Sequence, residues 1–393
     1  MRTLTKNLLV LAVLASLAVY FGQHFARMQE GMDFGSFYAA VQMVRQGQGH
    51  LLFDVPLQDR FLTRYGNRTG IYFIHPPFET LIYLPFCLWS LSRAFLLWSL
   101  FNMVLLVLVA RILARYESPG WSWRIMLPLI LIYVPVLLNF MHGQDSILLL
   151  FFFVMAFAAL EERRKFTAGC VLALGVFKPH LAIPAALPLL ISRRKDAVAG
   201  FASVSTALLL ISAEVSGWGF LISYPRFLIH LSQLPLAGLH KQQMANLRAL
   251  VGLALNSSPS VALALTLLTS LAVLCLAVHS WFRAAKHADA EKLAFANAVI
   301  AAILVSYHLS PHDLSILLLP MSLLVRHLLT RKDIPFRLRT WFIASLALIF
   351  LPPLHLLALQ VHVYTYLCLP ILLLFGVTYL EIRRLSTLSK SVL

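Results

Sequence analysis

Long apolar runs recur along almost the whole chain and are separated by short polar stretches. Most runs contain roughly 16–22 residues, close to the length that a helix needs to cross the hydrocarbon core of a bilayer. They lack strand-like alternation, and lipid offers no hydrogen-bond partner to the backbone, so they predict helices rather than a barrel. About thirteen apolar segments occur, near residues 8–22, 72–91, 94–114, 125–140, 146–160, 166–177, 179–191, 197–215, 260–282, 292–307, 313–329, 340–358 and 362–380.

Two longer polar stretches interrupt this pattern, at about residues 23–71 and 216–258. The sequence has no internal repeat and no low-complexity linker. The pattern therefore predicts a single all-α polytopic membrane domain over residues 1–393 with two long extracytoplasmic loops. We expect about 12 spanning helices, one hydrophobic segment that fails to span, and amphipathic helices in the first loop.

Composition supports a membrane protein. The chain has 393 residues, of which 60% are hydrophobic and 12% charged, and its mean hydropathy is +0.81. Soluble domains are about one quarter charged. The four cysteines (Cys87, Cys170, Cys275 and Cys368) stand singly within apolar runs and have no metal-binding spacing, so we expect them to be buried.

The net charge of +16 does not indicate nucleic-acid binding, because the basic residues form short clusters between apolar runs. This placement is typical of cytoplasmic loops under the positive-inside rule. Arg2 and Lys6 precede the first run, which we interpret as an uncleaved helix. The clusters expected inside are Arg163–Lys165, Arg193–Lys195, Arg283 with Lys286, Arg331–Arg339 and Arg383–Arg384.

The same topology places every candidate site on the opposite, extracytoplasmic face. The candidates are Asp33, the Gln144–Asp145 turn, Lys178 and the stretch His308–Asp313. One condition must be met: a hydrophobic segment between residues 72 and 140 must not cross the membrane, because otherwise Gln144 would be inside. Several prolines lie in that region, and proline interrupts a helix.

The first candidate stretch is MDFGSFYAA, residues 32–40. Asp33 lies at the membrane boundary, and Phe37 and Tyr38 follow at spacings that suit an interfacial amphipathic helix. A carboxylate here can accept a proton from a hydroxyl group. It can equally be a helix N-cap, which composition alone favours.

The second stretch is YFIHPPF, which contains Tyr72, His75 and two prolines. The prolines predict an extended entry into the next helix, with His75 and Tyr72 at the interface. A structural helix entry explains the prolines well and the histidine less well. Both a structural and a functional interpretation of His75 remain open.

The third and fourth stretches are NFMHGQDS and GVFKPH. In the third, Gln144 and Asp145 follow a glycine that permits a tight turn, and the alternative to a functional role is a helix cap at Asp145 or Ser146. In the fourth, Lys178 and His180 flank a proline at a helix junction. Lys178 either binds an anion or extends along apolar surface to reach water.

The fifth stretch is SYHLSPHDLSILLLP, where ionisable groups stand between apolar runs. A charge at the bilayer centre costs about 2.5–3.5 kcal/mol, so such groups usually face a protein cavity and act there. Pro311 predicts a helix end that carries His308, His312 and Asp313. These groups suit phosphate neutralisation or proton transfer, and the alternative is a polar pair between helices.

No motif for a resident metal or a nucleotide occurs. His308 and His312 have an HxxxH spacing, but Pro311 prevents the helix that would place both imidazoles on one ion, and no third ligand is evident. The sequence has no P-loop and no GxGxxG after a strand. We therefore expect no metal and no other cofactor.

The order of these motifs (an early Asp, then HPPF, GQDS, KPH and SPHD) resembles glycosyltransferase family 87 over nearly the whole chain. Each motif is short, and their succession along one polytopic chain carries the resemblance. The resemblance implies a GT-C-type helical bundle in a bacterial plasma membrane. It also implies inverting transfer of a sugar, typically mannose, from a polyprenyl-phosphate donor to a glycolipid or glycan acceptor.

The resemblance also implies roles for individual residues. Asp33 corresponds to the acidic residue of the first external loop, and His312 corresponds to the histidine of the late motif. Family members often have a second histidine where this chain has Asp313, and His308 is a candidate to compensate. Lys178, His180, His75 and His308 are expected around the donor phosphate. Tyr38, Tyr72, Gln144, Asp145 and Asp313 are expected to contact substrate.

A transporter or lipid flippase is the alternative class of function. Such proteins often show inverted repeats and charges near the bilayer midplane. This chain has no repeat, its polar groups cluster toward one face, and its first long loop carries a carboxylate, so sugar transfer is favoured. The expected partners are a lipid-linked sugar donor, the acceptor and membrane lipids. All candidate residues are expected to meet in one pocket.

Overall fold

The computed structural model describes residues 33–65, 71–116, 122–192, 195–230, 241–284 and 287–388, and within these ranges the regular structure is helical, without strands. The predicted first helix near residues 8–22, together with Arg2, Lys6, Arg193, Arg194 and Lys286, lies outside the described residues. The α-helices are α1 (Phe34–Arg45), α2 (Val55–Arg64), α3 (Glu79–Tyr83), α4 (Leu91–Tyr116), α5 (Trp123–Leu131), α6 (Val134–His142), α7 (Ser146–Glu161), α8 (Lys165–Leu174), α9 (Pro179–Ile191), α10 (Lys195–Ser216), α11 (Phe220–His230), α12 (Leu247–Ala254), α13 (Pro259–Ala284), α14 (Ala288–Val305), α15 (Leu318–Thr330), α16 (Phe336–Phe350), α17 (Pro352–Gln360) and α18 (Cys368–Leu388). Short 3₁₀ segments occur at Gly49–Leu51, Gly175–Phe177, Lys241–Gln243, Pro311–Leu317 and Tyr364–Leu367.

Among the described residues, five helical stretches are long and apolar enough to cross a membrane, and up to seven if each of two bent helix pairs forms one span. The five are Leu91–Tyr116, Lys195–Ser216, Pro259–Ala284, Pro311–Thr330 and Tyr364–Leu388. The bent pairs are α5 with α6, at 68°, and α16 with α17, at 55°. The other apolar helices are shorter. Helix α7, for example, has 16 residues and is about 24 Å long, which is less than the thickness of the hydrocarbon core, about 30 Å. The predicted count of about 12 spanning helices stays a prediction.

The structure identifies a hydrophobic segment that does not form a spanning helix. Between residue 72 and the start of α4 at Leu91, the only α-helix is α3, whose five residues extend for about 7.5 Å. Pro76 and Pro77 form a turn at the entry to this short helix, since their carbonyl oxygens accept from the Glu79 and Thr80 backbone N–H groups. The extended entry that the HPPF pattern predicts is therefore wrong for these two residues. If α5 and α6 form one span, the predicted topology is then consistent, with Gln144 on the same side as Asp33.

The chain forms two compact units. The first contains the described residues of Met1–Leu106, Val136–Asp145 and Ser205–Leu239. In this unit, helix α1 is buried from Phe34 to Met43, so it is not the interfacial amphipathic helix that the sequence predicts. Helix α2 is amphipathic, because only Gln58, Phe61 and Leu62 of its ten residues are buried.

The second unit contains Val107–Pro135, Ser146–Val204 and the described residues of His240–Leu393. Its central helix is α14, which is buried from Leu293 to Leu304 and is rich in alanine. Small side chains allow neighbouring helices to approach closely. Helices α8 and α10 also pack closely, since a Cβ atom on Gly169 would lie 2.0 Å from the Ala197 carbonyl oxygen.

The cysteines only partly follow the prediction of burial. Cys87 and Cys368 are buried, Cys170 is partly exposed, and Cys275 is exposed. Cys275 lies on α13, where only 11% of the most apolar stretch is buried within the protein. An apolar position on such a helix faces away from the protein interior, which is why hydrophobicity alone wrongly predicted burial for this residue.

Candidate active site

Asp33 directly precedes α1, yet its carboxylate does not cap that helix. The structure shows no hydrogen bond from the Asp33 side chain to the first turn, so the N-cap interpretation is wrong. Instead, Gln144 donates from Nε2 to Asp33 Oδ2 at 2.6 Å, and His142 Nδ1 lies 3.4 Å from the same oxygen. Asp33 is 9% exposed. A nearly buried carboxylate is therefore held by side chains that follow it by more than 100 residues. We name Asp33, His142 and Gln144 the Asp33 cluster.

The turn that carries Gln144 is fixed by its glycine. Gly143 has φ of +65°, a conformation that side chains rarely adopt. A Cβ atom on Gly143 would lie 2.7 Å from Phe34 Cβ and 2.9 Å from Phe95 Cε2. The glycine of the GQ motif is therefore required both by backbone conformation and by close approach to α1.

Two buried side chains hold the Gln144 backbone in this turn. Asn139 donates from Nδ2 to the Gln144 carbonyl oxygen at 3.0 Å, and Trp98 donates from Nε1 to the same oxygen at 3.3 Å. Both side chains are 1% exposed. Sequence reasoning missed both residues. The position of Asn139 at the end of an apolar helix, four residues before Gly143, is the available signal.

A second group of ionisable side chains lies in the same unit, and we name His75, Glu79 and Asp145 the His75 cluster. His75 Nδ1 is 2.8 Å from Glu79 Oε2 and 3.9 Å from Asp145 Oδ2. Glu79 is fully buried and Asp145 is 1% exposed. Glu79 is a residue that sequence reasoning missed, although its spacing of four from His75 on a helix entry predicts proximity.

Gln58 and aromatic rings hold the segment that carries His75. Gln58 Oε1 accepts from the Phe73 backbone N–H at 2.7 Å, and Gln58 Nε2 donates to the Phe73 carbonyl at 3.2 Å. The His75 ring lies 5.0 Å from the Phe37 ring and 5.7 Å from the Phe73 ring, centroid to centroid. These contacts fix a segment that has no regular secondary structure.

Tyr83 lies close to these carboxylates. Its ring stacks on Phe37 at 4.3 Å and packs against Trp98 at 4.3 Å. Burial raises the pKa of the Tyr83 hydroxyl well above its ordinary value, and the charges of Asp145 and Glu79 raise that pKa further. The hydroxyl therefore stays protonated in a strongly negative environment.

The two tyrosines predicted to contact substrate are buried in the first unit. Tyr38 donates from its hydroxyl to the Trp89 carbonyl at 2.9 Å, and burial raises its pKa. Tyr72 is 7% exposed; burial, and then a hydrogen bond with Asp59, raise its pKa to about 12. These contacts give both hydroxyls structural partners, and their substrate contacts stay predictions.

In the second unit, Lys178 is the centre of a buried ion pair. Its Nζ lies 2.5 Å from Asp313 Oδ1 and 2.8 Å from Ser146 Oγ, and Ser146 Oγ donates to the same carboxylate oxygen at 2.7 Å. Lys178 is 3% exposed and Asp313 is 2% exposed. The interpretation of Lys178 as a lysine that reaches out to water is therefore wrong. We name these three residues the Lys178 cluster.

Pro311 starts the 3₁₀ segment Pro311–Leu317 and does not itself end a helix, because α14 already ends at Val305. Asp313 Oδ2 accepts from the Ser310 backbone N–H at 2.8 Å, so one carboxylate both caps this segment and pairs with Lys178. The Tyr133 hydroxyl, in the break between α5 and α6, donates to the Leu314 carbonyl at 3.3 Å and helps to fix the segment. Tyr133 gave no signal in the sequence.

Three histidines belong to the same unit as the Lys178 cluster. His312 is 5% exposed, with Nε2 3.7 Å from Asp313 Oδ1. The rings of His180 and His308 lie 6.2 Å apart, centroid to centroid, and both are partly exposed. The structure thus brings together Lys178, His180, His308, His312 and Asp313 in one unit, and Asp33, Gln144, His75 and Asp145 in the other. The expectation of one shared pocket stays a prediction.

Comparison with known proteins gives the family. The model of glycosyltransferase family 87 matches residues 73–311, which is more than half of the chain. The chain belongs to glycosyltransferase family 87. This confirms the resemblance in the sequence and shows that the protein is a glycosyltransferase with apolar membrane helices. No curated protein and no solved structure matches the chain.

We predict that Gly143→Ala destabilises the protein, because it places a side chain in the left-handed region and against Phe34. The expected cost is about 1–3 kcal/mol, measured as thermal unfolding in detergent. Gly376→Ala is the matched control, since a Cβ there meets nothing within 4 Å. In a helix this control substitution is expected to be neutral or to stabilise by up to about 1 kcal/mol. Equal stability of the two variants would contradict the role of Gly143.

We predict that Lys178→Met destabilises the protein by about 3–5 kcal/mol, because it leaves the Asp313 carboxylate buried without its cation. The double variant Lys178→Met/Asp313→Leu removes both charges and is expected to regain much of that loss. The measurement is thermal unfolding of both variants in one detergent. A double variant less stable than Lys178→Met would rule out the buried ion pair as the cause.

Proposed function

We propose that this member of glycosyltransferase family 87 transfers mannose from a polyprenyl-phosphate donor to a hydroxyl group of a glycolipid or glycan acceptor. The transfer inverts the anomeric carbon. It takes place at the extracytoplasmic face of a bacterial plasma membrane, as the distribution of basic clusters predicts. A GT-C-type bundle with about 12 spanning helices is part of the same proposal. The apolar composition of the chain supports a lipid-linked donor.

The geometry of Asp33 is the observation that carries this proposal. A carboxylate that is 9% exposed, and that forms no helix cap, is held by Gln144 and His142. These two partners orient the Asp33 carboxylate, and an ionised carboxylate is an acceptor of protons. Such an arrangement suits a general base better than a structural residue.

In the proposed step, the acceptor hydroxyl loses its proton to Asp33 while its oxygen bonds to the anomeric carbon. The bond from that carbon to the phosphate oxygen breaks, and its electron pair leaves with the polyprenyl phosphate. Attack opposite the leaving group produces the inversion. The increased charge on the leaving phosphate must be stabilised, and cationic donors aimed at it contribute most.

We assign that stabilisation to His312, with support from His180 and His308. Lys178 is shared with Asp313, so this pair adds little net charge, and the imidazoles are the groups that supply additional positive charge. His75 faces Glu79 and Asp145 rather than a set of cations, which suits a cation site better than a phosphate site. Substrate contacts of Gln144, Asp145 and Asp313 remain part of the proposal.

Transport or lipid flipping receives no support from the comparisons, because the matching family is one of glycosyltransferases. An activity assay with the purified protein also distinguishes a glycosyltransferase from a transporter or flippase. Sugar transfer in detergent solution needs no second compartment, whereas transport does. Transfer by the purified protein therefore supports the enzyme.

The sharpest test compares two aspartates. We predict that Asp33→Asn lowers the rate of sugar transfer by about 10²–10⁴-fold, the usual contribution of a general base, and leaves expression intact. Asp54→Asn is the matched control. Asp54 is a true N-cap that accepts from the Leu57 backbone N–H at 2.8 Å, and asparagine caps as well as aspartate.

The assay offers polyprenyl-phosphate mannose, glucose and arabinose donors to membranes that contain each variant. Transfer from the mannose donor by wild type and Asp54→Asn, but not by Asp33→Asn, is the expected result. Full activity of Asp33→Asn would overturn its assignment as the base. Preference for another donor would overturn the assignment of mannose as the transferred sugar and would leave the assignment of Asp33 as the base unchanged.

A second prediction concerns the leaving phosphate. His312→Ala is expected to lower kcat by about 10²–10³-fold, which is the usual effect of removing one hydrogen-bond donor to a negative charge that develops in the transition state. His50→Ala, at an exposed histidine, is the control and should retain activity. A change in KM without a change in kcat would show that His312 binds substrate and does not stabilise the transition state.

A further inference from the structure

The His75 cluster has the geometry of a metal site. The ligand atoms of His75, Glu79 and Asp145 all lie within 4.8 Å of one another. The distances from His75 Nδ1 to the two carboxylates are 2.8 and 3.9 Å. Ligand atoms about 2.0–2.1 Å from a tetrahedral ion are about 3.3 Å apart, a value between these two distances. We propose that His75, Glu79 and Asp145 bind a divalent transition-metal ion.

The charge of this region supports a cation. Glu79 and Asp145 are 0% and 1% exposed, and Asp33 in the same unit is 9% exposed. Positive charge stabilises buried carboxylates, and the His75 imidazole lies within ion-pair distance of both Glu79 and Asp145. A divalent ion bound by both carboxylates balances the negative charge of both at once. Coordination of a metal is one of the usual ways in which buried charges are stabilised.

Tyr83 provides an independent observation. Its hydroxyl is buried, since the residue is 0% exposed, and it has no hydrogen-bond partner within the part of the chain that the structure describes. The largest charges that act on this hydroxyl come from Asp145 and Glu79. Buried hydroxyls are nearly always hydrogen-bonded, and water on a metal ion in the His75 cluster would be such a partner.

The ligand types indicate the class of ion. One imidazole with two carboxylates suits Zn²⁺ or Mn²⁺ better than Mg²⁺ or Ca²⁺, which prefer oxygen ligands throughout.

Three protein ligands leave at least one coordination position of the ion open, as in catalytic metal sites. Resting on the proposed function, we assign this position to an oxygen atom of the substrate. This inference departs from the expectation of no metal, because the three ligands come together only in the fold.

The test measures binding of the metal alone. Wild-type protein, purified in detergent and treated with chelator, is reloaded with MnCl₂ or ZnCl₂. Bound metal is measured by mass spectrometry, and Mn²⁺ also by electron paramagnetic resonance. Wild type is expected to bind one of these ions saturably, and Asp145→Asn and His75→Ala to lower its affinity at least about tenfold.

Glu214→Gln and His50→Ala are the matched controls, because both remove an exposed group of the same type from the same unit. Both controls are expected to bind as wild type does. No saturable binding of either ion by wild type would overturn the site, and this result needs no variant to fold. Equal binding by wild type and all variants would show an adventitious ion only and would also overturn it.

Measurement of sugar transfer then tests whether the bound ion takes part in the reaction, separately from whether it binds. Chelation is expected to abolish transfer of mannose, and the bound ion to restore it. Full transfer after chelation, with binding confirmed, would overturn the assignment of a substrate oxygen to the ion, while the ion site and the proposed function remain. Absence of transfer under every metal condition, with binding confirmed, would instead count against the proposed function.

Discussion

A charged side chain inside an apolar protein must find its compensation within that protein, and this constraint shapes the chemistry of the chain. Asp33 is held by Gln144 and His142, and Lys178 pairs with Asp313 at 2.5 Å. The same requirement is met within helix α18. Glu381 is fully buried and accepts from Arg384 at 2.8 Å, through both Nε and Nη2. The contacts of Asp33 and Lys178 also join chain segments more than 100 positions apart in sequence.

The short polar motifs share one structural feature, since each stands where a helix is interrupted. HPPF precedes the five-residue helix α3, GQDS separates α6 from α7, KPH starts α9, and SPHD starts a 3₁₀ segment. Proline removes a backbone donor and glycine permits a turn, so the motifs end helices at defined points. Polar side chains at these ends lie at helix termini and not along lipid-facing surfaces. This explains how an apolar chain carries so many ionisable groups.

Two of the simpler interpretations failed for the same physical reason. An aspartate before a helix usually caps it, and a lysine beside an apolar run usually extends to water. Both rules describe local energetics. Asp33 and Lys178 instead make stronger contacts with residues more than 100 positions away, and such contacts outweigh a local cap or the access to water. Local rules are least reliable where buried charges are paired, as in functional sites.

The sequence by itself determined the helical class, the membrane character, the family, and the points where helices break. These properties follow from hydrophobic periodicity and from proline and glycine, which act locally. Tertiary structure alone decided that the 72–91 segment forms only a short helix, that Asp33 faces Gln144, and that Glu79 joins His75 and Asp145. It also added Asn139, Trp98 and Tyr133 as supporting residues. Partners of a buried polar group are selected by three-dimensional packing, and a pattern along the chain carries no information about which distant residue that packing brings into contact.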